Sequence, residues 1–343
     1  MRRMALAAVA LLVGGPALAA PAQWERVAMS PPASPAYGKP ANATPAVSIP
    51  CSRACMEDVV ARFLKALAAR DPQSLPLAGT VRYTEMGQEL ELGDGLWGTA
   101  SDVGGYRHIF ADPATGQIGL FATMKENGRP FMMGARLRLE LGRISEMEVV
   151  LYRSGSGPAW NDAGVLAMDK TAKPRDLWMV PSLTRPSRQE LVAAANSYFE
   201  SIQRNDGKAR YPFTDDCDRL ENGVYTTNNP GLVRMGDVDI GGMGCKQQFE
   251  TGLYGIVTRV HDRRYLVVDE ERSVVFALAV FDHSGTIPEL TMPSGKKVSV
   301  GMFSKPSSIL LTEAFKIKGT LIQQVEAVGA SVPYHMHPGW GER

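Results

Sequence analysis

Apolar residues recur at helical spacing in two places along the chain. Val59, Val60, Phe63, Leu64 and Leu67 form one stripe, which stops at Arg70-Asp71-Pro72. Leu191, Val192, Ala195, Tyr198, Phe199 and Ile202 form the other, opened by the capping box Ser187-x-x-Glu190 and closed at Asn205-Asp206-Gly207. Alternation of apolar and polar residues, the period of a strand, follows each stripe. After the first stripe it predicts strands over 80–85 and, beyond a turn at Gly87, over 89–92. A short helical or looped stretch surrounds Trp97, and further strands start at Tyr106, Gln117 and Phe131. Gly142 turns the last of these into a strand over 144–152, where Met147, Val149 and Leu151 alternate with polar neighbours.

The second half retraces the first. Asp71 corresponds to Asp206, Glu85-Met86-Gly87 to Glu221-Asn222-Gly223, and Tyr106-Arg107-His108 to Arg263-Arg264-Tyr265. Asp112 then matches Asp269, Phe121-Ala122 matches Phe276-Ala277, Leu137-Arg138-Leu139 matches Phe315-Lys316-Ile317, and Glu148-Val149-Val150 matches Glu326-Ala327-Val328. The shared order argues for a duplication. The offset grows from 135 to 178, so the second copy carries insertions, one of which is predicted to hold a helix over 247–259. The expected division is a first module at 51–153, a linker at 154–186 and a second module at 187–343. The linker is rich in Gly and Pro yet keeps Trp160 and Trp178, so it is expected to lie along a domain.

The first 50 residues change the picture in a different way. Arg2 and Arg3, an apolar run from Ala5 to Val13, Gly14-Gly15-Pro16 and the small-x-small triplet Ala17-Leu18-Ala19 read as a signal peptide over 1–19, followed by a flexible leader over 20–50. The expected location is the periplasm or outside the cell. Removing 1–19 takes away two arginines and moves the formal charge from +1 to −1, leaving no basic surplus for nucleic acid or anionic lipid. With 44% hydrophobic and 21% charged residues the composition is that of an ordinary globular chain. Four cysteines in an oxidising compartment suggest two disulfides, with Cys51–Cys55 as a local clip and Cys217–Cys245 as the second; Cys-x3-Cys followed by two isolated cysteines is poor zinc-ribbon spacing.

The segments YTEMGQELELGDGLWGTA (83–100), DCDRLENGVYTTNNP (216–230), DRRYLVVDEERSVVFALAVFDH (262–283) and VPYHMHPGW (332–340) resemble the NTF2-like superfamily, in its SnoaL-like branch, and in particular exported two-module proteins of that kind. The resemblance spans most of residues 51–340. It implies an α+β chain with two tandem cone domains, in each of which a curved antiparallel sheet wraps a long helix and leaves a pocket. It also implies a range of chemistries: cofactor-free isomerases, dehydratases, cyclases and lyases of aromatic molecules, alongside plain binding and assembly domains.

Polar residues on the apolar phase of a strand are the candidates for chemistry. Glu85 is in phase with Val81 and Tyr83, His108 with Tyr106 and Phe110, and Glu313 with Leu311, Phe315 and Ile317. A partly desolvated carboxylate gains a pKa useful to a general base, and Tyr83 and His108 could serve an oxyanion. Arg219, Glu221 and Tyr265 complete the candidate set in the second copy. Competing structural roles are plain. Glu85 and Glu221 could cap the turns before Gly87 and Gly223, and Glu313 could pair with Arg219 or Arg264. The module-one equivalent of Glu313 is Ala135, so two pockets would differ chemically. His335-Met336-His337 would hold both imidazoles on one side of an extended segment, but tails rich in Gly and Pro display histidines without ligating; no metal and no cofactor are expected. No nucleophile elbow, Walker loop, dinucleotide fingerprint or HExxH helix occurs.

The resulting expectation is an exported, cofactor-free lyase, isomerase or dehydratase that works by general acid/base groups on a small hydrophobic, aromatic molecule. The alternative is a non-catalytic ligand-binding or assembly module. A monomer acting as a pseudo-dimer, or a homodimer, is expected, with no nucleic-acid or membrane partner.

Overall fold

Two helices and two sheets carry the fold in the computed structural model, which describes residues 51–171 and 173–340. The expected signal peptide and leader lie outside the described residues. Helix α1 (Arg53–Ala69) starts where the Ser52 side chain accepts from the Cys55 amide, and stops where Arg70 turns left-handed ahead of Asp71-Pro72. The strands that follow are β1 (Leu77–Glu85), β2 (Gln88–Leu90), β3 (Ala100–Asp112), β4 (Gln117–Glu126), β5 (Arg129–Glu140) and β6 (Arg143–Arg153), with the short α2 (Leu96–Thr99) ahead of β3. They form a six-stranded sheet in the order β2-β1-β6-β5-β4-β3.

The second half has the same plan. Helix α4 (Arg188–Gln203) follows α3 (Ala159–Met168) of the linker and carries both hydrogen bonds of the predicted capping box. The strands β7 (Phe213–Glu221), β8 (Val224–Tyr225), β11 (Arg259–Asp269), β12 (Val274–His283), β15 (Ser307–Lys318) and β16 (Leu321–Val332) form a second sheet in the order β8-β7-β16-β15-β12-β11. The chain is thus α+β, mostly strand, with two six-stranded sheets of one order. The insertions hold two small hairpins, β9 (Arg234–Met235) with β10 (Val238–Asp239) and β13 (Glu289–Thr291) with β14 (Lys297–Ser299). The helix expected over 247–259 is shorter: α5 (Cys245–Glu250) ends before Gly252, whose φ of 72° breaks the helical run, and a 3-10 turn (Leu253–Ile256) follows. Both expected disulfides, Cys51–Cys55 and Cys217–Cys245, are formed.

Strand register fixes which residues of the halves are equivalent. Leu137 pairs with Met147 as Phe315 pairs with Val325, and Ala135 faces Leu120 as Glu313 faces Ala277. Tyr83 and Glu85 oppose Met147 and Val149 as Arg219 and Glu221 oppose Val325 and Ala327. Two matches from the sequence move. His108 faces Phe121 where Arg264 faces Leu278, so His108 answers to Arg264 and Phe121 to Leu278. An irregularity in β11 between Tyr265 and Val267 shifts its phase, which a gapless reading of the sequence misses.

Each sheet is buried on both faces. One face packs on its own helix: Phe63 and Leu67 of α1 meet Leu120, Ala135 and Val149, while Tyr198 and Phe199 of α4 meet Ala277 and Phe315. The other faces pack on each other. Phe121 lies 5.3 Å from Phe276 and Phe110 lies 5.6 Å from it, in a cluster that also takes Met132, Val267 and Val328. The linker closes over this seam as expected of a segment that keeps its tryptophans, with Trp178 buried against His108 at 4.8 Å.

Charged residues tie the seam reciprocally. Arg53 at the start of α1 reaches Asp269 of the second sheet at 2.6 and 2.9 Å, and Arg188 at the start of α4 reaches Asp112 of the first. Asp269 accepts the Ala111 amide and Asp112 accepts the Val268 amide. His108 meets Glu326 at 2.7 Å, and its equivalent Arg264 meets Glu148. Residue and partner exchange roles across the seam, as in an isologous dimer interface.

Candidate functional site

The second half encloses a cavity of about 900 Å³. Its position follows from strand alternation. On β7, β12, β15 and β16 the odd-numbered residues point to the α4 side, so Arg219, Glu221, Phe281, His283, Leu311, Glu313 and Ala327 share one wall. Tyr198 and Ile202 of α4 form the opposite side. The insertion supplies Gln248 and Tyr254, and the linker supplies Trp160 and Asn161 at the rim. The Cys217–Cys245 bridge fastens the insertion to β7 beside this wall.

Glu313 is the most unusual group in the cavity. Its side chain is 2% exposed, and its Oε2 has no hydrogen-bond partner. Burial, and then the nearby Glu221 carboxylate, push its pKa up to about 8, against the pull of Arg219 and a hydrogen bond from Tyr198. Arg219 is not its ion-pair partner. That guanidinium pairs with Glu221 at 3.1 Å, donates to the Tyr254 hydroxyl and sits over the Tyr254 ring at 5.0 Å. Arg219 stays a cation despite burial, because Glu221 and the two tyrosines raise its pKa. At the other end of the wall His283 stacks on Phe303 at 4.2 Å, and burial lowers its pKa to about 4, so it is a neutral imidazole at pH 7.

Unfulfilled hydrogen bonds concentrate here. Ten buried polar side-chain atoms lack a partner among the described residues, and five of them belong to residues that line this cavity: Asn161 Oδ1, Arg219 Nε, Thr226 Oγ1, His283 Nδ1 and Glu313 Oε2. A buried polar group without a partner costs roughly 1–3 kcal/mol, so five around one space concentrate a cost to stability there.

The seven sequence candidates fall into four places. Arg219, Glu221 and Glu313 meet in the cavity. Tyr83 and Glu85 lie together in the first half but form a closed structural knot: Glu85 accepts from the Tyr83 hydroxyl at 3.0 Å, the Leu96 amide at 2.6 Å and Arg153 at 2.9 Å. Glu85 thereby receives the start of α2, and Leu96 and Trp97 fill the space beneath it. Neither Tyr83 nor Glu85 lines the cavity. His108 is also misassigned, since it sits in the seam against Glu326 and Trp178 rather than in a pocket of the first half. Tyr106 and Phe110, with which it is in phase, face the other sheet and not α1, so phase marks a buried side without saying which one. Tyr265 points to α4, where its hydroxyl donates to Asn196 at 2.6 Å, and does not line the cavity. The turn-capping roles fail as well. Met86-Gly87 and Asn222-Gly223 make their turns through positive φ at both residues, without help from Glu85 or Glu221.

His283 is the residue that the phase rule should have found, being in phase with Phe281, Ala279 and Ala277 on β12. Asn161 sits in the first turn of α3, Tyr254 in the 3-10 turn and Thr226 in a loop, none of which the strand period reaches. Among known families, a model described as a domain of unknown function (DUF8021) matches residues 184–329, a stretch that holds Arg219, Glu221, His283 and Glu313. No curated protein matches the chain.

Proposed function

We propose that the chain is an exported protein of two tandem NTF2-like modules, and that the second is a cofactor-free acid/base enzyme for a small, oxygenated hydrophobic molecule. The observation that carries this reading is Glu313: a buried carboxyl group with an unused oxygen, on the wall of a cavity large enough for a drug-sized ligand. Repetition of one strand order around one long helix in each half supports the tandem fold, and two disulfides support an oxidising location.

At pH 7 a carboxyl group with a pKa of about 8 is mostly protonated. Glu313 therefore serves as a proton donor to a ligand oxygen, in the manner of a carboxylic acid kept neutral by an apolar site. Arg219 presents its unused Nε–H and its charge to the negative oxygen that develops as a carbonyl enolises or an alcohol leaves. Glu221, held by Arg219, is the acceptor on the same wall. Proton transfer between two carboxyl groups around one cationic donor is the chemistry of an isomerase, dehydratase or lyase.

The test is turnover of hydroxylated aromatic ketones and aromatic dimers by the wild type and by Glu313→Gln, with binding followed by tryptophan fluorescence from Trp160 at the rim. Glu313→Gln should bind with similar affinity and turn over roughly 10²–10⁴ times more slowly. Equal rates in the two proteins, or tight binding with no turnover by the wild type, would reduce the site to a binding pocket.

A further inference from the structure

On the opposite face of β12 from the cavity, beside His283, a separate group of side chains converges. Asp282, the last residue but one of the strand, has its side chain wholly buried. His261 at the start of β11 places Nε2 at 3.2 Å from Asp282 Oδ1, and His335 of the C-terminal segment places Nδ1 at 2.9 Å from Asp282 Oδ2. Donor atoms of these three residues, one from each, all lie within 4.8 Å of one another. The expected extended run over 335–337 is absent, since His335 has a φ of 62°. That bend sends His335 to Asp282 and His337 to Asp262, at 3.3 Å.

Hydrogen bonds from Ser308 and His261 account for one oxygen of Asp282 and not for the other. His261 Nδ1 lies 2.8 Å from Asp262 Oδ2, so its two ring nitrogens face two carboxylates. Asp282 Oδ2 has no hydrogen-bond partner although it is buried, because His335 Nδ1 stands close without hydrogen-bond alignment. A histidine oriented through its other nitrogen by a carboxylate is the usual support of a metal ligand.

We propose that His261 Nε2, Asp282 and His335 Nδ1 bind a zinc ion, with Asp262 as the carboxylate that orients His261. Two imidazoles and one carboxylate suit zinc in a four-coordinate site, leaving the fourth position to water. His335 Nδ1 stands 2.9 Å from Asp282 Oδ2 and His261 Nε2 stands 3.2 Å from Oδ1, with one donor atom of each residue within 4.8 Å of the others, against a zinc tetrahedron's edge of roughly 3.3 Å for bonds of roughly 2.0–2.1 Å. His335 is about half exposed at 48%, so the ion enters from solvent. Both cysteine pairs are closed as disulfides and offer no competing thiolate.

The ion would fasten the C-terminal segment to the second sheet. Beyond His337 that segment crosses to the first sheet, where Gly339 accepts from Arg82 and the Trp340 indole donates to Thr84 at 2.8 Å. The Trp340 ring also lies under the guanidinium groups of Arg82 and Arg136 at 4.1 and 4.6 Å. Zinc at His335 is therefore a clamp on a strap that joins the halves.

The experiment is titration of the untagged, metal-stripped mature protein with zinc chloride by calorimetry, with cobalt(II) as a spectroscopic probe of geometry. Wild type should take up one zinc per chain, show tetrahedral cobalt bands and melt at a higher temperature with zinc. His335→Ala, a change at a half-exposed tail position that leaves the core intact, should weaken binding by more than roughly tenfold and abolish the thermal shift; Asp262→Asn should weaken it by roughly tenfold. Absence of stoichiometric binding by the wild type, or unchanged affinity in His335→Ala, would overturn the site. So would loss of binding in His337→Ala with His335→Ala unaffected, because the ion would then sit on the Asp262 side of His261.

Discussion

Glu313 and Ala135 hold equivalent register positions, yet one carries a carboxyl group into a cavity and the other a methyl group into a filled core. The carboxyl has a thermodynamic consequence independent of any substrate. Unfolded, it releases its proton near its ordinary pKa of 4.5; folded, it keeps the proton until about pH 8. Between those values the folded state binds the extra proton, so stability is complete below pH 4.5 and declines as pH rises to about 8. A shift of that size corresponds to roughly 4–5 kcal/mol. Glu313→Gln should therefore unfold at similar denaturant concentrations to the wild type at pH 5 and resist unfolding better at pH 9. If the two proteins lose stability in parallel over that range, Glu313 titrates like a solvated carboxylate and cannot be the acid. Phase along β15 made Glu313 legible in the sequence, and Glu221 was legible as the repeat of Glu85. The same rule misplaced His108, because the buried side of β3 that Tyr106 and Phe110 mark is the one against the other sheet.

At the scale of elements, the cavity depends on the insertion that the second half has and the first lacks. In the first half α2 drops Leu96 and Trp97 into the space under Glu85; in the second, β9, β10, α5 and the 3-10 turn stand back and put Gln248 and Tyr254 at the wall. Local chemistry could announce helices, hairpin turns and caps, since each depends on a few adjacent residues. It could not announce a cavity formed from four separated segments. One covalent tie holds the arrangement. The Cys217–Cys245 bridge closes 28 positions of chain, and its loss should cost roughly 3–4 kcal/mol, against about 2 kcal/mol for the short Cys51–Cys55 clip. Replacing Cys217 and Cys245 by alanine should lower the urea midpoint and also weaken ligand binding, because α5 leads into Tyr254 and Tyr254 supports Arg219. A variant equally weak in stability but normal in binding would separate the bridge from the cavity.

For the whole molecule, the seam between the sheets decides whether either half can exist alone. Tyr106, Phe110, Phe121 and Met132 of the first half and Val267, Phe276 and Val328 of the second are buried only because the sheets cover each other. The reciprocal ion pairs sharpen the dependence: Asp269 is wholly buried, and without Arg53 it would keep only amide donors for its charge. Removing one partner of such a pair costs about 3–5 kcal/mol at full burial, and Arg53 is partly exposed at 18%, so Arg53→Met should cost about 3 kcal/mol. Arg188→Met should cost less, because Arg188 is 35% exposed. Cutting the chain carries the same logic further. A fragment of residues 51–171 should present an apolar sheet face to water and should aggregate or pair with itself, whereas co-expression with residues 173–340 should restore a soluble one-to-one complex. The sheet order and the exchange of Arg53–Asp269 for Arg188–Asp112 make the second fragment the complement of the first. Sedimentation of the two fragments, separate and together, measures this. A first fragment that stays monomeric and unfolds cooperatively on its own would mean that the seam joins two finished domains instead of completing them.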